Sequence, residues 1–134
     1  MPIRRSETLP IANEMDIVRV RQTVRAWAIA CTFSLVEQTK LVTAASELAR
    51  NALEHGGGGK ATLEELDDGA RRGLRIAFED QGKGIADIAL ALKDGYTSGG
   101  GMGHGLGGSK RLVDDFDIVS APGKGTRVTI GRWR

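Results

Sequence analysis

Glu47 and Asn51 stand four residues apart in the run Ser46-Glu47-Leu48-Ala49-Arg50-Asn51-Ala52-Leu53-Glu54-His55. On a helix that spacing sets them about 40° apart around the axis and one turn along. A carboxylate can accept a proton, and a side-chain amide oxygen is a hard ligand suited to Mg²⁺. Both residues fall at the margin of an apolar stripe, where a side chain is held by the core yet reaches a cavity. An ordinary polar flank has the same appearance, so the pair does not decide the matter alone.

A second candidate is Glu79-Asp80-Gln81-Gly82-Lys83-Gly84-Ile85, which follows a predicted strand. Asp80 shares the parity of Leu74, Ile76 and Phe78, so it ends that strand facing the covered side of the sheet. A carboxylate there is costly unless a donor meets it, and the exocyclic amino group of adenine would serve. Gly82 and Gly84 would let the backbone turn and approach a flat base. A strand-terminating turn with a solvated aspartate is the plainer alternative.

Eight of the fourteen residues from Gly95 to Gly108 are glycine, and a predicted helix follows. Glycines leave N–H groups free to converge on anionic oxygens, and a helix start adds its dipole. Gly103, Gly105, Leu106 and Gly107 lie in this stretch. Lys110 and Arg111, expected in the first helical turn, would add positive charge. Gly103-x-Gly105-x-x-Gly108 matches a dinucleotide fingerprint, but no apolar strand precedes it and no acidic residue ends a second strand about twenty positions on. The near-match to a phosphate-binding P-loop fails because Ser109 precedes Lys110. Later, Gly123-Lys124-Gly125-Thr126 opens the last strand. Thr126 shares parity with Val128 and Ile130, so its hydroxyl should point into the layer that Asp80 faces, toward a base or a water beside it.

These groups need elements to hold them. Residues 3–11 read as a short polar edge strand, with Pro10 limiting its length. Asn13 caps a helix over about residues 14–32, whose face is Ile17, Val20, Val24, Trp27, Ala28 and Cys31. A second helix from about Val36 to Glu54 carries Leu41, Ala45, Leu48, Ala49 and Ala52, and Gly56 to Gly59 end it. Strands follow at 60–66 and 73–80, a short helix at 86–93, a helix at 107–115, and strands at 116–120 and 125–133. The order predicts one domain, residues 1–134, of the two-layer α/β (α+β) class: helices on one face of a mixed, mostly antiparallel sheet.

Composition narrows the function. The 134 residues are 40% apolar and 27% charged, with a formal net charge of +2. The signs are interleaved, so no basic stripe argues for nucleic acid. Aromatics are only 4%, which disfavours a stacking platform for bases. The longest apolar run is too short to span a bilayer and the start lacks a signal peptide's apolar stretch, so a cytoplasmic chain is expected. The single cysteine, Cys31, reads as a core thiol. His55 and His104 form no zinc-spaced cluster; His55 reads as a helix C-terminal residue.

Taken in order, Glu-x-x-x-Asn, Asp-x-Gly-x-Gly, a glycine-rich lid and Gly-x-Gly-Thr form a pattern that resembles the gyrase/Hsp90/histidine-kinase/MutL (GHKL, Bergerat-fold) ATPases over almost the whole chain. Met15-Asp16-Ile17-Val18, the Ser46 to Asn51 run, Glu79 to Gly82, and Lys110-Arg111-Leu112-Val113-Asp114-Asp115-Phe116 are most similar to the RsbT switch kinases, which are related to anti-sigma factor kinases. The resemblance implies a serine/threonine protein kinase using ATP and Mg²⁺ and leaving ADP. Glu47 would be the general base and Asn51 the metal ligand. Asp80 would read the adenine amino group beside Gly82 and Gly84. Gly103, Gly105, Leu106, Gly107 and Lys110 would close over the phosphates, and Thr126 would back the base. The implied partners are a STAS-domain scaffold or antagonist protein as substrate and a PP2C-type phosphatase activated by binding. The alternatives are an anti-sigma factor kinase that sequesters a sigma factor, and a nucleotide-gated binding module that transfers no phosphate. Two positions depart from the family pattern: Lys83 stands where proline is common, and Gly107 where Gly-Leu-Pro-Gly has its proline. Both loosen the backbone.

Overall fold

The computed structural model describes residues 2–85, 87–92 and 105–134. The first helix, α1 (Glu14–Ala30), begins where Asn13 Oδ1 accepts the Asp16 N–H at 3.0 Å, while Asp16 Oδ2 accepts the Ala12 N–H at 2.8 Å. The first bond satisfies one of the donors left over at a helix start, and the second ties down the residue before the cap. Ile17, Val20, Val24, Trp27 and Ala28 recur at the helical period and are buried. Thr32, at φ 62°, turns the chain, and Ser34 and Glu37 form a reciprocal capping box that starts α2 (Leu35–Glu54). The Ser34 backbone N–H beside Glu37 holds that carboxyl below its usual range. Leu41, Val42, Ala44, Ala45, Leu48, Ala49 and Ala52 form the buried face of α2.

Five strands make one sheet in the order β1-β2-β3-β5-β4: β1 (Ile3–Ile11), β2 (Gly59–Asp67), β3 (Arg72–Asp80), β4 (Asp115–Ser120) and β5 (Thr126–Trp133). Every pairing is antiparallel, so the mixed element of the expected sheet is not found among the described residues. Pro10 does not shorten β1, which runs on to Ile11. An edge strand tolerates proline because half of its N–H groups lack a ladder partner.

The period of two places Ala61, Leu63, Leu74, Ile76, Phe78, Val128 and Ile130 in one buried layer with the helices. Each such Leu, Ile or Val contributes roughly 1.5–3 kcal/mol by leaving water. The opposite face is polar, with Glu79 bridging Lys60 and Arg127 and with Arg75 on Glu64 at 2.8 Å. Between β3 and β4 run two short helices, α3 (Ile88–Ala91) and α4 (Gly105–Lys110), and α4 packs on α2. Among the described residues, no helix is long and apolar enough to cross a membrane.

Candidate active site

Glu47 and Asn51 are half-buried on α2 between buried neighbours, as the margin of the stripe requires. No hydrogen bond or ion pair ties either side chain to another described residue. Arg50, between them, turns outward. It meets Glu14 at 3.0 and 3.2 Å and Glu54 at 3.2 Å, and these carboxylates raise its pKa, Glu14 foremost. That bridge fastens the start of α1 to the stretch of α2 that carries the two candidate groups.

The carbonyl of Asn51 accepts the N–H of His55 at 2.9 Å and of Gly56 at 3.3 Å, closing α2. Gly56 is the joint between helix and sheet. A β-carbon there would stand 2.6 Å from Asp80 Oδ2, and one on Gly82 would stand 2.6 Å from the Gly56 Cα. The Asp80 carboxylate therefore lies in a slot floored by two glycines, directly beyond the helix that bears Asn51. One of its oxygens, Oδ1, accepts the Gly82 N–H at 2.9 Å. Part of the desolvation cost is thus met locally, by the same aspartate turn that the plainer sequence reading anticipated.

Gly84 has φ +77°, and any β-carbon would strike the carbonyl oxygen of Ala121. Only glycine suits that left-handed, close-packed position. The Lys83 carbonyl accepts the Gly123 N–H at 2.7 Å, so the loop after β3 is zipped to the β4–β5 turn. Asp80 pairs with Thr126 across β3–β5, and Thr126 with Ser120 across β4–β5, putting the three side chains in one row at one end of the sheet. Ser120 Oγ lies 2.8 Å from Ile85 N, 2.9 Å from the Gly125 carbonyl and 2.8 Å from Thr126 Oγ1.

Of the expected lid, Gly105, Leu106 and Gly107 start α4, with Leu106 in the core; Gly103 and His104 lie outside the described residues. Lys110 requires a correction. The sequence pattern puts it in the first turn of a helix over 107–115, but α4 ends at Lys110, which is exposed, and Arg111 lies beyond it. The Leu112 N–H turns back to the Ser109 carbonyl at 3.1 Å, the Asp114 N–H reaches the Gly131 carbonyl at 2.9 Å, and Arg132 holds the Leu112 carbonyl at 3.1 Å. Pairing with β5 captures the chain before a helix can continue. The charge of Lys110 therefore sits at the helix end, not at its start.

Gly56 and Ser120 are the residues that sequence reading missed. In the sequence Gly56 reads only as a helix terminator, and Ser120 belongs to no motif. Among the described residues, no cluster of three His, Cys, Asp or Glu could hold a metal. A Mg²⁺ ion needs fewer protein ligands, because substrate phosphates and water complete its octahedron. A half-buried amide at Asn51, unengaged by its described neighbours, fits that requirement.

Residues 36–134 match the family of histidine kinase-, DNA gyrase B- and HSP90-like ATPases. The chain is 43% identical over 123 residues to the serine/threonine-protein kinase RsbT of Bacillus subtilis (strain 168), covering 92% of each. It is 30% identical over 121 residues to an anti-sigma F factor of Thermoanaerobacter sp. (strain X514), covering 84% of this chain and 82% of the relative. The RsbU and RsbW domains of a Mycobacterium tuberculosis protein share the fold, with TM-score 0.66 and 22% identity over all of this chain and 33% of that one. The histidine kinase domain of an Erythrobacter litoralis blue-light-activated kinase aligns at TM-score 0.53 and 19% identity, over 92% of this chain and 60% of that one. The family match and the 43% identity together show that the chain belongs to the histidine kinase-, DNA gyrase B- and HSP90-like ATPase family, in its RsbT-like branch of serine/threonine-protein kinases.

Proposed function

We propose that this partner-switching kinase transfers the γ-phosphoryl group of Mg·ATP to a serine or threonine hydroxyl on a STAS-domain protein, and that the freed kinase then activates a PP2C-type phosphatase by binding it. The observation that carries this reading is the joint at Gly56, which sets the Asp80 slot against the end of the helix bearing Glu47 and Asn51.

Asp80 Oδ2 accepts an amino hydrogen of the base, while Oδ1 stays committed to Gly82. Asn51 would hold the Mg²⁺, whose charge would offset that of the phosphate oxygens. Glu47 receives the proton of the incoming hydroxyl as its oxygen bonds to phosphorus and the bond to the departing ADP breaks. Leu106, buried beside α2, anchors the end of the glycine-rich stretch whose N–H groups would face the phosphates. The likeness to anti-sigma F factors supports one further reading, in which the same pocket serves a kinase that also sequesters a sigma factor.

Calorimetric titration with ADP and ATP, with and without Mg²⁺, followed by phosphate transfer to a STAS-domain protein, tests the proposal. Asp80→Asn should weaken binding by about 1.5–3 kcal/mol, the worth of a hydrogen bond to a charged group. Asn51→Ala should abolish the Mg²⁺ dependence. Glu47→Ala should cut transfer by about 10²-fold or more while leaving affinity nearly unchanged. Partner exchange that proceeds undiminished in Glu47→Ala would instead mark a nucleotide-gated binding module.

A further inference from the structure

Ser120 and Thr126 hold their hydroxyl groups 2.8 Å apart, a distance at which either oxygen could be the donor. The surroundings of Ser120 remove the ambiguity. A serine hydroxyl has one hydrogen to give and two lone pairs to receive with. The Gly125 carbonyl, 2.9 Å away, can only accept, so the one hydrogen of Ser120 lies on that line. The Ile85 N–H, 2.8 Å away, can only donate and fills one lone pair. What remains for Thr126 is the second lone pair, so Thr126 must donate. Its hydrogen points at Ser120, away from Asp80, and only the lone pairs of Thr126 Oγ1 stay available.

The row facing the base is then an unbroken set of acceptors. Asp80 contributes a carboxylate whose Oδ1 is already engaged by Gly82, leaving Oδ2. Thr126, its cross-strand partner, contributes an oxygen stripped of its donor. We infer that Ser120 is a specificity-determining positioning residue: by fixing the direction of the Thr126 hydroxyl it makes this subsite accept a 6-aminopurine nucleotide and reject a 6-oxopurine. An amino group offers two hydrogens to two acceptors. With the base seated in the same pose, a 6-oxo group would set its lone pairs against the acceptors that receive the amino hydrogens, with no hydroxyl free to rotate and rescue it. The inference rests on the reading of Asp80 and Thr126 as the base subsite.

The test is the ratio of ATP to ITP affinity, by calorimetry on the full chain with Mg²⁺. Wild type should prefer ATP. Ser120→Ala frees the Thr126 hydroxyl to turn its hydrogen toward a 6-oxo group, so the preference should shrink about tenfold, the worth of one hydrogen bond. A serine that merely braces the loop would lower both affinities in proportion and leave the ratio unmoved, which would overturn the inference. Thr126→Val, which keeps the strand's branched side chain, covers the case in which Ser120→Ala does not fold. It should lower ATP affinity without lowering ITP affinity, and an equal loss of both would overturn the inference. In the double variant, Ser120→Ala should have no further effect on selectivity, because its route through the hydroxyl is gone; an additive effect overturns it too. If wild type binds neither nucleotide, or if Asp80→Asn leaves ATP binding intact, the subsite reading falls and takes this inference with it. A normal Asp80 effect with an unmoved ratio brings down the role of Ser120 alone.

Discussion

A single methyl group at position 56 would test the slot. Gly56 has no positive-φ requirement, so alanine is compatible with its backbone. Its added carbon, however, would stand 2.5 Å from the Asp80 Cβ and 2.6 Å from Oδ2, too near for the aspartate to keep its place. Gly56→Ala should therefore weaken adenine-nucleotide binding at least about tenfold, as an Asp80 hydrogen bond is lost. The helical secondary structure should persist. Calorimetry paired with circular dichroism checks this, and unchanged affinity would mean that the carboxylate does not read the base from this position. Glu47, Asn51, Asp80 and Thr126 were legible in the sequence because a helical spacing and a strand parity locate them without knowledge of the fold. Gly56 and Ser120 were not. Gly56 touches Asp80, distant in sequence, and Ser120 joins Ile85 to the facing strand of its own hairpin, and no sequence motif encodes either contact.

At the scale of elements, α2 shows where local signals suffice. Its start is written in Ser34 and Glu37, whose side chains each satisfy the other's backbone N–H, at 3.2 and 2.9 Å. Ser34→Ala should cost about 1 kcal/mol of stability, read as a lower urea midpoint at unchanged slope. Nucleotide affinity should hardly change, because Glu47 and Asn51 stand several turns away toward the other end of the helix. A large affinity loss would mean that fraying at the start of α2 propagates along it. By contrast, α4 shows where local signals fail. Leu112 and Val113 look like the continuation of a helical stripe, yet Asp114 is claimed by β5 through its own N–H and through the Trp133 N–H, which it accepts at 2.7 Å. Sheet pairing overrides a weak helical propensity in a glycine-rich segment. The same competition explains why Lys110 lies at the end of α4.

For the whole molecule, the alternation of apolar and polar residues in β3 and β5 already required a sheet with one covered face, and two amphipathic helices already supplied the cover. Strand order was not legible, because β5 must pass β4 to pair with β3. Cys31 reports on the integrity of this single core. It is completely buried, and desolvation pushes its thiol from 9.0 up to about 11, with Glu65 adding to the rise and Arg5 and Arg4 opposing it. Because the folded-state value is the higher one, the unfolded chain loses its proton first. The thiol's contribution is fully present below about pH 9 and is lost as pH climbs toward about 11. Two units correspond to roughly 3 kcal/mol at most. Denaturant titrations of wild type and Cys31→Ala at pH 7, 9 and 10.5 isolate this effect, since the methyl variant carries a constant cavity cost but no ionisation. The stability advantage of wild type should hold from pH 7 toward 9 and shrink by 10.5. A difference that stays flat across that range would mean the thiol ionises freely in the folded protein, and that solvent reaches the space between α1 and the sheet.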